Sequence, residues 1–158
     1  RQMCIRDRFS GHLVHLGWAH LWLNLVGLWL IWIIAGDALS VIGWWLLLLL
    51  CALFTSLGLL LFNPDLQWYV GLSGILHGLM LAGLVTRLVV GRRPDVLLLL
   101  VVLVVKLAWE QYYGPLPGSE ASVGATVVVD AHLYGAIAGA AGVTLFLVVP
   151  AWRRRFVK

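Results

Sequence analysis

Five apolar runs divide the chain. The first covers residues 12–35 and closes on GDALS. The second, residues 41–62, carries no charged side chain and stops at NPDLQ. The third covers residues 70–90 and ends at GRRPD. The fourth, residues 96–113, is followed by GPLPGSEASVG, and the fifth, residues 125–149, ends at Pro150. A membrane helix needs about 20 mainly apolar residues to cross the hydrocarbon layer. Each run predicts one such helix, and the Gly, Pro and Asp clusters between them predict turns.

Composition agrees with that pattern. The chain has 158 residues, 62% hydrophobic and 11% charged. A soluble domain of this size needs a far more polar surface. The expected class is an all-α, polytopic membrane helix bundle, with no room for a second domain. Trp18, Trp22, Trp44, Trp45 and Trp68 need no role beyond packing and the membrane interface. Cys51 lies mid-run and predicts a buried thiol, and no disulfide framework is implied.

The net charge of +4 is no nucleic-acid footprint. Seven of the eleven basic residues form two clusters: Arg87, Arg92 and Arg93, then Arg153, Arg154, Arg155 and Lys158. Such clusters beside apolar runs read as cytoplasmic anchors. With the C-terminus cytoplasmic, both clusters fall on one side, and the first, third and fifth helices start outside. Only the opening RQMCIRDR, with Cys4 and three arginines, conflicts with this topology. Residues 1–8 are therefore expected to be foreign sequence standing in for a lost upstream helix, with residues 9–158 forming the membrane domain.

The polar residues inside the runs are His12, His15, His20, Asn24, Ser73, His77, Lys106, Glu110, Asp130 and His132. Polar groups at depth are costly and usually face the bundle interior. At about 1.5 Å per residue, His20, Ser73, His77 and His132 fall in the outer half of the membrane, with Asn24 near its middle. His20 and Asn24 share a face at i and i+4, as do Ser73 and His77. His15, five residues before His20, points about 140° away. Gly74, Gly78 and Ala82 form a small-residue stripe on the third helix, and Gly135 and Gly139 continue the face of His132 on the fifth. Such stripes let membrane helices approach closely, which would bring Ser73 within reach of His132. A hydroxyl beside a base is the geometry of an activated nucleophile. His20, Asn24 and the Ser73 N–H, free at a helix start, can donate to an oxyanion.

No carboxylate is expected to orient His132. Asp130 lies two residues away, about 200° around the helix, and suits a cap or a hydrogen bond near the helix start. Lys106 and Glu110, i and i+4 on the fourth helix, read as an ion pair with the lysine reaching toward the surface. A dyad is thus expected rather than a triad, with His77 packed against His132 to hold its orientation. Each residue also has a plainer reading. Ser73 is a small packing residue, His132 and His77 are satisfied core imidazoles, and His20 and Asn24 are interhelical glue. His12 and His15 are read as structural or interfacial.

Taken together, HLVHLGWAHLWLN, GLSG and AHLYGAIAG resemble the rhomboid intramembrane serine proteases. They are similar to that family's His-rich second helix, its GxSG nucleophile motif and its AHxxGxxxG motif, in family order. The resemblance implies Ser73 and His132 as catalytic residues and His20 and Asn24 as oxyanion donors. Gly71, Gly74, Gly135 and Gly139 support the dyad. It also implies a six-helix core, of which five helices are present. Many rhomboids carry an aromatic residue where this chain has His77. GLSGILHG, the short loops, WEQ and VVDAHLYGA resemble the rhombosortase branch. That branch implies a bacterial inner membrane and substrates anchored by a C-terminal tail with a Gly-Gly motif, a transmembrane segment and basic residues. No metal or organic cofactor is expected. Two other classes fit parts of the pattern: a rhomboid-like protein that binds transmembrane segments without cutting, and a haem or metal protein ligated by the histidines.

Overall fold

The computed structural model describes residues 10–91 and 94–158. The segment expected to be foreign, with Cys4, and the Arg92–Arg93 pair lie outside the described residues. Five long helices make up the bundle: α1 (Trp18–Ala35), α2 (Val41–Phe62), α3 (Ser73–Gly91), α4 (Pro94–Tyr113) and α5 (Val129–Val148). All five are long and apolar enough to cross a membrane. Their outer faces carry Trp22, Trp29, Leu98 and Val102 exposed, as expected where lipid is the solvent. The protein is an integral membrane protein.

Local chemistry sets where the helices begin and end. α2 has the predicted bounds; the Ser40 hydroxyl caps it by accepting from the Gly43 N–H at 3.2 Å. α4 is described from Pro94, two residues before the predicted bound. Three starts come later than expected. The predicted first helix is interrupted by Gly17, whose extended backbone precedes Trp18. Residues 11–13 form a separate 3₁₀ turn. Its His12 ring is anchored on α2, donating from Nε2 toward Ser56 Oγ at 3.0 Å and the Ala52 carbonyl at 3.2 Å. α3 waits until Ser73 because Gly71 takes a left-handed φ of 111°. α5 waits until Val129, after Gly124 at φ 78° and the β-branched Thr126, Val127 and Val128. The long polar connection contains a one-turn helix, Ser119–Val123, that the pattern did not predict.

α3 is the central helix and packs against the other four. Half of the apolar window of α3 and of α5 is buried in the protein, against 17% for α4, so α4 is a peripheral, lipid-facing helix. The α3–α5 contact depends on glycine. A Cβ at Gly135 would collide with the Gly74 carbonyl oxygen, and one at Gly139 with that of Gly78. Leu47 and Cys51 of α2 close the core over this seam with Ile75, Leu79 and Val143.

At one end of the bundle, Arg87 pairs with Asp37 of the α1–α2 turn. The chain does not simply leave the bundle at Pro150. A short helix, Pro150–Phe156, folds back and packs Phe156 against Phe146, with ring centroids 4.8 Å apart and planes tilted by 45°. Val157 then forms a bridge to Leu39, and the Lys158 N–H donates to the Ala38 carbonyl. Both basic clusters, as far as they are described, therefore share this end. The starts of α1, α3 and α5 and the end of α4 share the other.

Candidate active site

Because α1, α3 and α5 start late, the polar residues stand nearer the helix ends than the sequence suggested. His20 and His132 fall in the first turns of α1 and α5, Ser73 opens α3, and Glu110 lies in the last turn of α4. These elements enclose a cavity of about 370 Å³ whose wall includes His20, Asn24, Ser73, His77, Lys106, Glu110 and His132. The first, third and fifth helices do not bound it alone. α4 supplies Leu103, Lys106 and Glu110, and the α4–α5 connection supplies Leu116, Ser119 and residues 126–128.

The close seam between α3 and α5 places Ser73 Oγ 3.0 Å from His132 Nε2. The His77 ring, one turn along from Ser73, stacks on the His132 ring at 4.1 Å and 19°. Its Nδ1–H donates to the Ser73 carbonyl at 2.7 Å. Both contacts restrict the plane of the imidazole facing Ser73.

On the opposite wall, Gly71 brings the backbone against α1. A Cβ there would stand 2.5 Å from His20 Nε2 and 3.7 Å from Asn24 Nδ2, and its positive φ is also hostile to a side chain. His20 and Asn24 are buried, and His20 Nδ1 and Asn24 Nδ2 have no hydrogen-bond partner among the described residues. An amide N–H buried without an acceptor is costly, so Asn24 keeps a donor to offer, and no partner fixes the proton of the His20 ring. The first N–H groups of α3 have no intrahelical acceptor either, and the positive end of its dipole adds to the same field.

Behind this pocket the backbone is tied down twice. The Tyr69 hydroxyl donates to the Gly71 carbonyl at 3.1 Å, and the Gly71 N–H donates to the Gly11 carbonyl at 2.9 Å. Burial holds the Tyr69 phenol above its ordinary pKa, so it remains a donor. Burial also pushes His12 below the usual imidazole value, partly opposed by the hydrogen bond it donates to the Ala52 carbonyl. His12 is thus structural. His15 does not point away from His20 as helical spacing suggested. It precedes α1, and its ring meets that of His20 edge-on at 4.9 Å.

The expectation that no carboxylate reaches His132 is overturned. Glu110 Oε2 lies 2.8 Å from His132 Nδ1, and Glu110 is only 3% exposed. The i,i+4 pair with Lys106 does form, at 2.7 Å. It faces inward, however, so the lysine does not reach for the surface. Lys106 Nζ is also 2.5 Å from His77 Nε2 and 3.2 Å from His132 Nδ1. The cause is topological: α4 ends at the same bundle end as α3 and α5 begin, which puts its last turns level with Ser73. Asp130 turns the other way, accepting from Asn63 Nδ2 at 2.6 Å; Asn63 in turn accepts from the Tyr134 hydroxyl.

His77, Glu110 and His132 present donor atoms within 4.8 Å of one another, a spacing that could hold a metal ion. The Lys106 ammonium already lies within hydrogen-bonding distance of all three residues. These donors suit a divalent ion only with Lys106 displaced.

The fold and site define a polytopic membrane protein that gathers a serine, an imidazole and a carboxylate in one cavity near the ends of its helices. The Rhomboid domain matches the chain over residues 6–149, and the chain belongs to the rhomboid family of intramembrane proteases. No curated protein and no solved structure matches it.

Proposed function

We propose that this protein is an intramembrane serine endopeptidase of rhombosortase type. One observation carries the reading: the 3.0 Å approach of Ser73 Oγ to His132 Nε2 inside the cavity. Ser73 Oγ attacks the scissile carbonyl while His132 Nε2 takes the hydroxyl proton. The tetrahedral oxyanion accepts hydrogen bonds from Asn24, His20 and the Ser73 N–H, each worth roughly 10²–10³ in turnover. His132 then gives its proton to the leaving amine. Water drawn through the cavity hydrolyses the acyl-serine and regenerates the site.

The site end of the bundle faces outward and the basic end, with the C-terminus, faces the cytoplasm of a bacterial inner membrane. The substrate is a protein anchored by a C-terminal transmembrane segment, cut near the outer face at a Gly-Gly motif. Glycines suit the position because they let an extended backbone approach the pocket wall closely.

A metal-ligating role for His77, Glu110 and His132 has their donor spacing in its favour. The serine reading accounts for more, since it also uses Ser73, His20 and Asn24.

The test is cleavage in proteoliposomes of a reporter carrying a Gly-Gly motif, a transmembrane helix and a basic tail. The wild-type chain releases the reporter and Ser73→Ala does not. An equal rate from both would defeat the proposal. Cleavage of a Gly-Gly→Val-Val reporter at the same rate would defeat the substrate assignment alone.

A further inference from the structure

Five hydrogen-bonding contacts around the cavity form a closed ring that begins and ends on Ser73. Their proton positions follow from which groups can donate. The Ser73 carbonyl only accepts, so the proton of His77 sits on Nδ1, 2.7 Å away. His77 Nε2 is then a bare acceptor, and Lys106 Nζ donates to it at 2.5 Å. The same ammonium donates to Glu110 Oε2 at 2.7 Å. An ionised carboxylate also only accepts, so His132 Nδ1 carries the hydrogen that points at Glu110, 2.8 Å away. That leaves His132 Nε2 bare, facing Ser73 Oγ at 3.0 Å. At 3.2 Å, Lys106 is a neighbouring charge for His132 Nδ1 rather than a donor to it, because that nitrogen already holds a hydrogen.

We propose that Glu110 is the positioning carboxylate of this site, converting the Ser73–His132 pair into a Ser–His–Glu triad, and that Lys106 is the counter-ion that keeps it charged. The inference rests on the serine-protease reading and extends it. Glu110 selects the imidazole tautomer able to accept from Ser73, and it stabilises the imidazolium formed when that proton arrives. A bare carboxylate this deeply buried is expensive and tends to protonate. The ammonium one helical turn away makes the pair neutral, so the transient positive charge on His132 forms beside an ion pair. Lys106 also donates to His77, which links the charge pair to the ring that stacks on His132. A purely structural ion pair would tie α4 to the bundle without selecting a tautomer.

Two measurements separate these roles. The first is the ¹⁵N spectrum of the His132 ring in the wild-type chain in detergent. It should show Nδ1 protonated and Nε2 bare at neutral pH; a proton on Nε2 overturns the proposal. The second is the rate at which a fluorophosphonate modifies Ser73. Glu110→Gln should slow it by roughly 10²–10⁴-fold, with Glu110→Asp recovering part of the loss. A folded Glu110→Gln chain that reacts at the wild-type rate overturns the triad while leaving the serine reading intact. A wild-type chain that reacts no faster than Ser73→Ala removes the serine reading, and the triad falls with it. If Glu110→Gln does not fold, the wild-type ring spectrum alone decides.

Discussion

The His77 ring lies 4.1 Å from the His132 ring, inclined by 19°, and both sit against the cavity that Ser73 faces. His77 therefore holds His132 in two ways: by stacking and by its own fixed position on the Ser73 carbonyl. His77→Phe keeps an aromatic surface but loses both ring nitrogens. His77→Ala loses the surface as well. Stacked rings are worth about 0.5–1.5 kcal/mol beyond burial. Reaction of Ser73 with a fluorophosphonate should therefore slow further in His77→Ala than in His77→Phe, by roughly two- to twelvefold. Equal rates for the two variants would show that stacking contributes nothing.

The glycine seam sets the Ser73–His132 distance. A methyl group at Gly135 has no free space, because the Gly74 carbonyl oxygen occupies it. Gly135→Ala should separate α3 from α5, cost about 1–3 kcal/mol as overpacking does, and suppress modification of Ser73. Denaturant unfolding in detergent measures the first effect and labelling the second. Gly17→Ala is the control, since nothing lies within 4 Å of a Cβ there.

The oxyanion pocket makes a kinetic prediction. Asn24→Ala should lower kcat roughly 10²–10³-fold and leave KM nearly unchanged, because a donor used only in the transition state does not bind the ground state. A rise in KM at constant kcat would assign Asn24 to substrate binding instead. Gly71→Ala should lower activity too, since its methyl group would press on His20 Nε2.

His12 gives a pH dependence outside the catalytic cavity. Burial lowers its pKa in the folded state. The unfolded chain therefore binds more protons than the folded chain once pH drops through the ordinary imidazole range near 6.5. Stability contributed by neutral His12 is full above that range and is lost as pH falls, by up to about 1.4 kcal/mol per pH unit. His12→Gln can still donate to Ser56 and the Ala52 carbonyl but does not titrate. Its stability should fall less between neutral and mildly acidic pH than that of the wild type. Parallel unfolding curves would remove His12 as the source.

How much was legible in the sequence depended on which force fixed each feature. The five spans were legible because lipid demands about 20 apolar residues per crossing. α2, which has no glycine break near its start, matches its predicted bounds. Gly71 and Gly124, at positive φ, delayed two helix starts, and extended backbone at position 17 delayed a third; hydrophobicity marks neither. The convergence of His20, Asn24, Ser73 and His132 was visible from their depth and from the glycine stripes. Glu110 was missed because Lys106 four residues earlier offered it a complete local partner. The available signal was topology. The fourth helix ends where the third and fifth begin, so a carboxylate three residues before Tyr113 lies level with Ser73. His15 was misplaced for a related reason, since helical angles do not extend past Gly17.

His132 activates Ser73 by taking its hydroxyl proton. The most direct measurement is the mass of the Ser73 peptide after exposure of the detergent-solubilised chain to a fluorophosphonate. A phosphonyl adduct is expected on Ser73 in the wild type, none in Ser73→Ala, and a strongly reduced yield in a folded His132→Ala chain. An unmodified Ser73 in a folded wild-type chain, or an equal yield without His132, would contradict it.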